Sequence, residues 1–358
     1  MTQPASATAP ATARPLRLAV GMPHVESVAA WLEHACWAEQ AGYDSVWMGD
    51  TGGVDSLTLA AAIARQTGRI GIGTSVVPLM PRTPAVFAST AYTLHQLSGG
   101  RFALGLGVSS ETMMDKWHGL PFSRPRTRIA ESVRLLRAML AGERTDFAGE
   151  TIHSRGFRLP DDAARDVPIY LAALRGRMLE TAGELADGVI LNRYPLPVVP
   201  RLVSKVRDGA RQAGRDPAAV DIVAHLKVCV TDEPHHVFEG IRQRFAGYYS
   251  TGVYNKYLAW CGYEPEAAAL AEGWRRKDRA HTMSVMNDEL LSQFITVGSV
   301  TACRDAARSL IDCGVTTVVV GAYTTDPDVQ RATFEAFTPR NFPLDYWGSQ
   351  DPSRRSAP

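Results

Sequence analysis

The sequence predicts an α/β fold, a (β/α)8 TIM barrel with insertions. Eight short apolar runs of strand length alternate with stretches of helical periodicity, an order that implies a parallel sheet. Eight such units within about 300 residues match a closed barrel. The fingerprint of a doubly wound open sheet, G-x-G-x-x-G after the first strand, is missing; Gly105-x-Gly107 follows the fourth run and lacks the third glycine.

Leu16 to Gly21 is the first strand, ending at Met22-Pro23-His24. Val25 to Ala41 follows as an amphipathic helix, with Val28, Trp31, Leu32, Ala35 and Ala38 at three- and four-residue spacing. Asp44 to Met48 is the second strand and closes at Gly49-Asp50-Thr51; Asp55-Ser56 then caps a helix to Thr67. Arg69 to Val77 is the third strand, and Pro84 suits the first turn of a helix to Leu97. Ser98-Gly99-Gly100 breaks that helix, and Arg101 to Leu106 is strand four.

After strand four come Glu111 to Trp117 and a helix from about Arg126 to Ala141; residues 144–160 read as a small β-excursion. Val167 to Ala172 is strand five, Met178 to Ala186 a helix, and Gly188 to Leu191 strand six. Pro197 to Ala213 is helical, Val220 to Val230 is strand seven, and His235 to Tyr249 is helical. A long segment, 251–286, carries Tyr254, Tyr257, Trp260, Tyr263 and Trp274. A helix from Ser299 to Asp312 leads to strand eight, Thr316 to Val320. The expected organisation is one barrel domain over 15–340, with insertions at about 108–125, 144–160 and 251–286 and tails at 1–14 and 341–358.

Composition narrows the function. Of 358 residues 45% are apolar, and Lys+Arg at 38 balance Asp+Glu at 37, which argues against nucleic-acid or membrane-surface partners. Cys36, Cys229, Cys261, Cys303 and Cys313 are dispersed with no C-x-x-C, as in a reduced cytoplasmic chain with mostly buried thiols. No apolar run reaches the roughly 18 residues needed to span a bilayer.

Barrel enzymes place their chemistry at the C-terminal ends of the strands. The candidates there are Met22 and His24; Asp50 and Thr51; Ser75, Val76 and Val77; Gly107, Ser109, Ser110 and Glu111; Ala172, Ala173 and Leu174; Asn192 and Arg193; Lys227; and Gly321 with Tyr323. These lack the His and carboxylate cluster of a metal hydrolase and a G-x-S-x-G elbow, so no metal is expected. A site this small, apolar and hydroxylic suits a flat aromatic cofactor that carries the reaction. Strand five runs into LAALRGRMLETAG, where the helix start, Gly176, Arg175 and Arg177 suit a phosphate. Both arginines could equally be solvated at the helix start.

GGRFALGLG, the Ser75-Val76 strand end and AALRGRMLETAGELADGVILN together resemble the luciferase-like monooxygenase superfamily, and within it the coenzyme F420-dependent oxidoreductases. WHGLPFSRPRTR resembles that group too, and the likeness spans about residues 16–325. It implies a bacterial-luciferase-like (β/α)8 barrel whose deazaflavin ring packs against a bulge with a non-prolyl cis peptide, here Ser75-Val76. It places the phosphate loop at Ala172 to Met178, with Arg175-Gly176 where members often have Gly-Pro. The implied cofactor contacts are Met22, Asp50, Ser75, Val76, Gly107, Ser109, Ser110, Ala172, Ala173, Leu174, Arg175, Gly176, Arg177, Met178 and Asn192. Asp50 matches a common acidic residue at the end of strand two; Thr51 stands where some members carry a catalytic histidine. The glutamate proton donor of some members falls on Ser110, with Glu111 adjacent.

The implied function is F420-dependent hydride transfer to or from a small organic substrate, with reduction of a C=C or C=N bond expected. An FMN-dependent monooxygenase using O2 is the alternative, and a cofactor-free binding protein a third. Asp50, Glu111, His24 and Tyr323 are the candidate proton sources, with Asp50 and Glu111 foremost. Asp50 could instead cap a helix, and Glu111 could simply be exposed. The insertion at 251–286 could cover the substrate or pack on the barrel or a partner. Members often dimerise, so a homodimer is expected.

Overall fold

The computed structural model describes residues 14–23, 27–50 and 53–344. Strands β1 (Arg17–Gly21), β2 (Ser45–Met48), β3 (Gly71–Thr74), β4 (Phe102–Gly107), β5 (Ile169–Ala172), β6 (Gly188–Leu191), β7 (Asp221–Val230) and β8 (Thr317–Ala322) pair in parallel in sequence order. The sheet closes where Arg17 to Val20 lie beside Thr317 to Val320. The predicted eight-stranded barrel is therefore the observed one.

Alternation along each strand divides the apolar side chains between two cores. Leu18, Val20, Ile72, Leu104, Leu171 and Leu226 point outward, under the surrounding helices. Ala19, Trp47, Tyr170, Ile190, Val223 and Val319 fill the barrel interior. Trp47 meets Tyr170 edge-on, with ring centroids 5.1 Å apart. The Trp47 ring lies across Gly73, where an added Cβ would fall 2.5 Å from Cε3.

The lower end of the barrel is closed by polar groups. Asp221, fully buried, pairs with Arg17 and accepts from Tyr170 Oη at 2.7 Å, Thr316 Oγ1 at 2.5 Å and Thr317 Oγ1 at 3.1 Å. At the upper end β1, β4, β5 and β8 finish in Gly21, Gly107, Ala172 and Ala322. The interior is thus plugged below and walled by small residues above.

The helices are α1 (Val28–Gln40), α2 (Ser56–Gln66), α3 (Pro84–Ser98), α4 (Glu111–His118), α5 (Pro125–Leu140), α6 (Arg177–Leu185), α7 (Val199–Gln212), α8 (Pro234–Tyr249), α9 (Gly252–Trp260), α10 (Glu264–Arg275), α11 (Arg279–Val285), α12 (Asp288–Ser292), α13 (Val300–Asp312) and α14 (Pro327–Ala336). Their starts follow local chemistry: Ser27, Asp55, Thr83, Ser110 and Ser299 each accept a backbone N–H of the first turn. The 144–160 excursion is a hairpin, Asp146–Ala148 against His153–Arg155. The 251–286 insertion is the three helices α9 to α11.

Several expectations need correction. The third strand was expected from Arg69 to Val77; it runs only from Gly71 to Thr74, is interrupted at Ser75-Val76, and resumes as Val77–Pro78 against β4. The apolar stripe of α1 is only partly used: Ala35 and Ala38 are buried, whereas Val28 is exposed. Only Cys229 and Cys303 of the five thiols are buried, the others half-buried, and none forms a disulfide. No helix among the described residues is long and apolar enough to cross a membrane.

Candidate active site at the barrel mouth

Ser75-Val76 is a cis peptide, as the resemblance implied. The bulge is pinned from both sides. Ser75 N–H donates to Met48 O at 2.6 Å, and Asp50 N–H donates to Val76 O at 3.2 Å. Thr74 Oγ1 donates to Gly105 O at 2.9 Å and accepts from Gly105 N at 2.8 Å, while Leu79 N–H reaches Gly107 O at 2.8 Å. A Cβ on Gly107 would lie 2.6 Å from Val76 Cγ2 and 3.6 Å from Ala172 Cβ. Val76, Gly107 and Ala172 therefore form one continuous wall, whereas half-buried Met22, just past β1, packs against the outer core instead.

The Asp50 carboxylate accepts from Arg82 Nη1 at 2.9 Å, and the other arm of Arg82 pairs with Asp55, the cap of α2. An ion pair of this kind orients Asp50 as an acceptor. Arg82, which joins Asp50 to Asp55, is a candidate the sequence did not single out. His24 and Thr51 lie outside the described residues.

Past β4 the chain turns at Ser109, φ 63°, and Ser110 caps α4 through its hydroxyl, 3.3 Å from Met113 N. Glu111 is exposed in the first turn of that helix. The loop after β5 is better enclosed. Ala173 is buried, Leu174 and Met178 pack against the outer core, and Arg177 is exposed. Arg175 Nε is buried with no hydrogen-bond partner. Gly176, at φ 55° and ψ −137°, starts α6 with no side-chain cap, and an added Cβ there would meet nothing within 4 Å. Exposed amide donors, an orphaned guanidinium nitrogen and open space are what an anion needs.

The β6 and β7 side of the mouth is basic and aromatic. Asn192 Oδ1 accepts Arg193 N–H at 2.7 Å, and Arg193 takes φ 56°. Its guanidinium stacks 3.7 Å above Tyr248 and stands 5.8 Å from Tyr254 of α9. Tyr249 Oη donates to Arg193 O at 2.5 Å. The inserted helices thus pack on the barrel and also reach its mouth. On β7, His225 and Lys227 follow Val223 at two-residue steps and share its interior face. Burial, reinforced by Lys227 and Arg193, pushes His225 down to about 3; burial and Arg193 also push Lys227 well below its usual value. His225 was missed in the sequence, although Lys227 was among the strand-end candidates.

The profile of the luciferase-like monooxygenase family matches residues 5–317. The 5,10-methylenetetrahydromethanopterin reductase of Methanolobus tindarius is 32% identical over 292 residues, 81% of this chain and 89% of that protein. The F420-dependent glucose-6-phosphate dehydrogenase of Rhodococcus erythropolis is 33% identical over 228 residues, 59% of this chain and 67% of that protein. The structure of the coenzyme F420-dependent tetrahydromethanopterin reductase of Methanopyrus kandleri superposes with a TM-score of 0.76 at 24% identity, covering 90% of this chain and 97% of that one, which shows a shared fold. The chain belongs to the luciferase-like monooxygenase family.

Proposed function

We propose that the chain is an F420-dependent oxidoreductase that moves a hydride between the deazaflavin C5 and a small organic substrate, reducing a C=C or C=N bond. The observation that carries the cofactor is the loop at the start of α6. Its buried Arg175 Nε has no partner, and Gly176 opens onto space beside uncapped amides. These donors fit a phosphate of the cofactor chain, held by Ala172 to Met178. Ser75, Val76, Gly107 and Ala172 fit a flat ring as a wall of small side chains, packed so closely that a Cβ on Gly107 would fall 2.6 Å from Val76 Cγ2. Ser109, Ser110 and Asn192 follow the neighbouring strand ends and are the remaining proposed contacts. Asp50, oriented by Arg82, holds the strand-two edge of the ring site, and Asp50 or Glu111 supplies the proton a reduced substrate needs. Two of the relatives described above bear F420 in their names.

When bound, the deazaflavin supplies a hydride at carbon and reacts poorly with oxygen. The protein's part is to position the substrate over the wall and exclude water. The test titrates the purified chain with F420 and with FMN, following cofactor fluorescence. Saturable quenching by F420 is expected, weakened at least about tenfold in Arg175→Ala, equivalent to about 1.4 kcal/mol. Reduced F420 should bleach with an enone or imine substrate without oxygen. Preferential FMN binding with oxygen-dependent turnover would favour the monooxygenase reading, and no quenching by either cofactor would remove both.

A further inference from the structure

The wall and phosphate loop leave one part of the mouth unexplained. Arg193, His225 and Lys227 converge there from adjacent strands, and Lys227 is only 5% exposed. Arg193 Nη1 and His225 Nε2 are buried without hydrogen-bond partners. Among the described residues no carboxylate pairs with any of the three. The titratable groups acting on Arg193 are the phenols of Tyr248, Tyr249, Tyr254 and Tyr323, and the Lys227 ammonium lies 5.6 Å from the Tyr194 ring. Phenols soften the field of a cation but do not neutralise it. Buried, unpaired charge and orphaned donors cost several kcal/mol, and a structure keeps them where something else completes the pairing.

There is room for that partner. The interior neighbour of Lys227 on β8 is Gly321, where an added Cβ would meet only Leu226 O, at 3.6 Å. In strand order β6 and β7 stand across the barrel from the β3 bulge. A substrate lying over the proposed cofactor ring would therefore extend toward this cluster. The charge count selects the ligand. Arg193 is the one permanently charged member of the three, while burial pushes the pKa values of His225 and Lys227 down. One fixed charge matches a monoanion, and a dianion would be costlier to desolvate.

We propose that Arg193, His225 and Lys227 form a subsite for a carboxylate of the substrate, so that the enzyme acts on an organic acid. This specifies the substrate class of the F420 reading and rests on it for the role of the mouth. The carboxylate accepts from Arg193 Nη1, His225 Nε2 and Lys227 Nζ. Pairing with the carboxylate raises the affinity of His225 and Lys227 for protons, so binding draws protons from solvent.

Isothermal titration of the full chain with benzoate, in two buffers of different ionisation enthalpy, tests this. One-to-one binding with proton uptake is expected. Neutral benzamide should bind at least tenfold more weakly. Lys227→Met should weaken benzoate at least tenfold, whereas Arg175→Ala should leave benzoate unchanged while weakening F420. The benzamide comparison uses the unaltered chain and stands even if Lys227→Met does not fold. Equal binding of benzoate and benzamide, or undiminished benzoate binding by folded Lys227→Met, overturns the subsite. Each of these leaves the F420 quenching result intact, so the two readings fail separately.

Discussion

Gly105 is the residue on which the mouth depends most directly. A Cβ there would sit 1.8 Å from Thr74 O and 2.8 Å from Ile190 Cδ1. The first obstacle is backbone, held in place by the two hydrogen bonds of Thr74 Oγ1 to the same glycine. Gly105→Ala should therefore cost about 3 kcal/mol, at the upper end of ordinary overpacking. A urea midpoint within 0.5 kcal/mol of the parent, by the order of magnitude expected of a harmless change, would refute the close approach. In the sequence Gly105 stood out only as part of an incomplete Gly-x-Gly fingerprint after the fourth strand. At Gly105 the neighbour is another strand. The sequence could not show this, because a strand in a parallel barrel is buried on both faces and its alternation is hidden. The same masking kept His225 out of view, between apolar residues on β7. Asp50 was legible as a strand-end acid, whereas its partner Arg82 lies 32 residues further along the chain and meets it only through the fold.

Among the elements, the hairpin at Asp146–Ala148 and His153–Arg155 is held to α5 by one side chain. Glu131 accepts from Glu150 N at 2.6 Å, Thr151 N at 2.9 Å and Thr151 Oγ1 at 2.5 Å. Gly149 leaves it room, since a Cβ there would lie 2.5 Å from Glu131 Cδ. Burial alone would raise the Glu131 pKa, but hydrogen bonds from Thr151 and Glu150 more than offset it and hold the carboxyl below its usual range. A depressed folded pKa adds stability above the unfolded value of about 4.3, and that stability is lost as pH falls through the folded pKa. Glu131→Gln should destabilise by about 1–2 kcal/mol at neutral pH. The gap to the parent should close as thermal melts are taken below about pH 4, and a gap independent of pH would assign the loss to packing instead. The hairpin was legible as an excursion because its β pattern departs from the helical run before it. The helices of 251–286 were not, because α9 and α11 are only 9 and 7 residues long and carry too few turns to show a period.

For the whole molecule, the two ends of the barrel are built on opposite principles. The mouth is small-walled and keeps polar groups unpaired; the lower end satisfies every oxygen of a fully buried carboxylate. Asp221 joins β7 to β1 through Arg17, to β5 through Tyr170 and to β8 through Thr317. It thereby ties together the first and last strands at the seam where the barrel closes. Arg17→Met would leave that carboxylate buried without a cation. Three hydroxyls would remain around it, so the expected cost is about 3 kcal/mol, the lower end for a broken buried pair. The denaturant midpoint should fall with an unchanged m value, because the native surface is the same. The F420 binding proposed for the mouth should not change, since the mouth lies at the opposite end of the barrel from the lower plug. A loss of F420 affinity equal to the loss of stability would mean that the plug and the mouth form one cooperative unit, with the open end drawing its shape from the closed one.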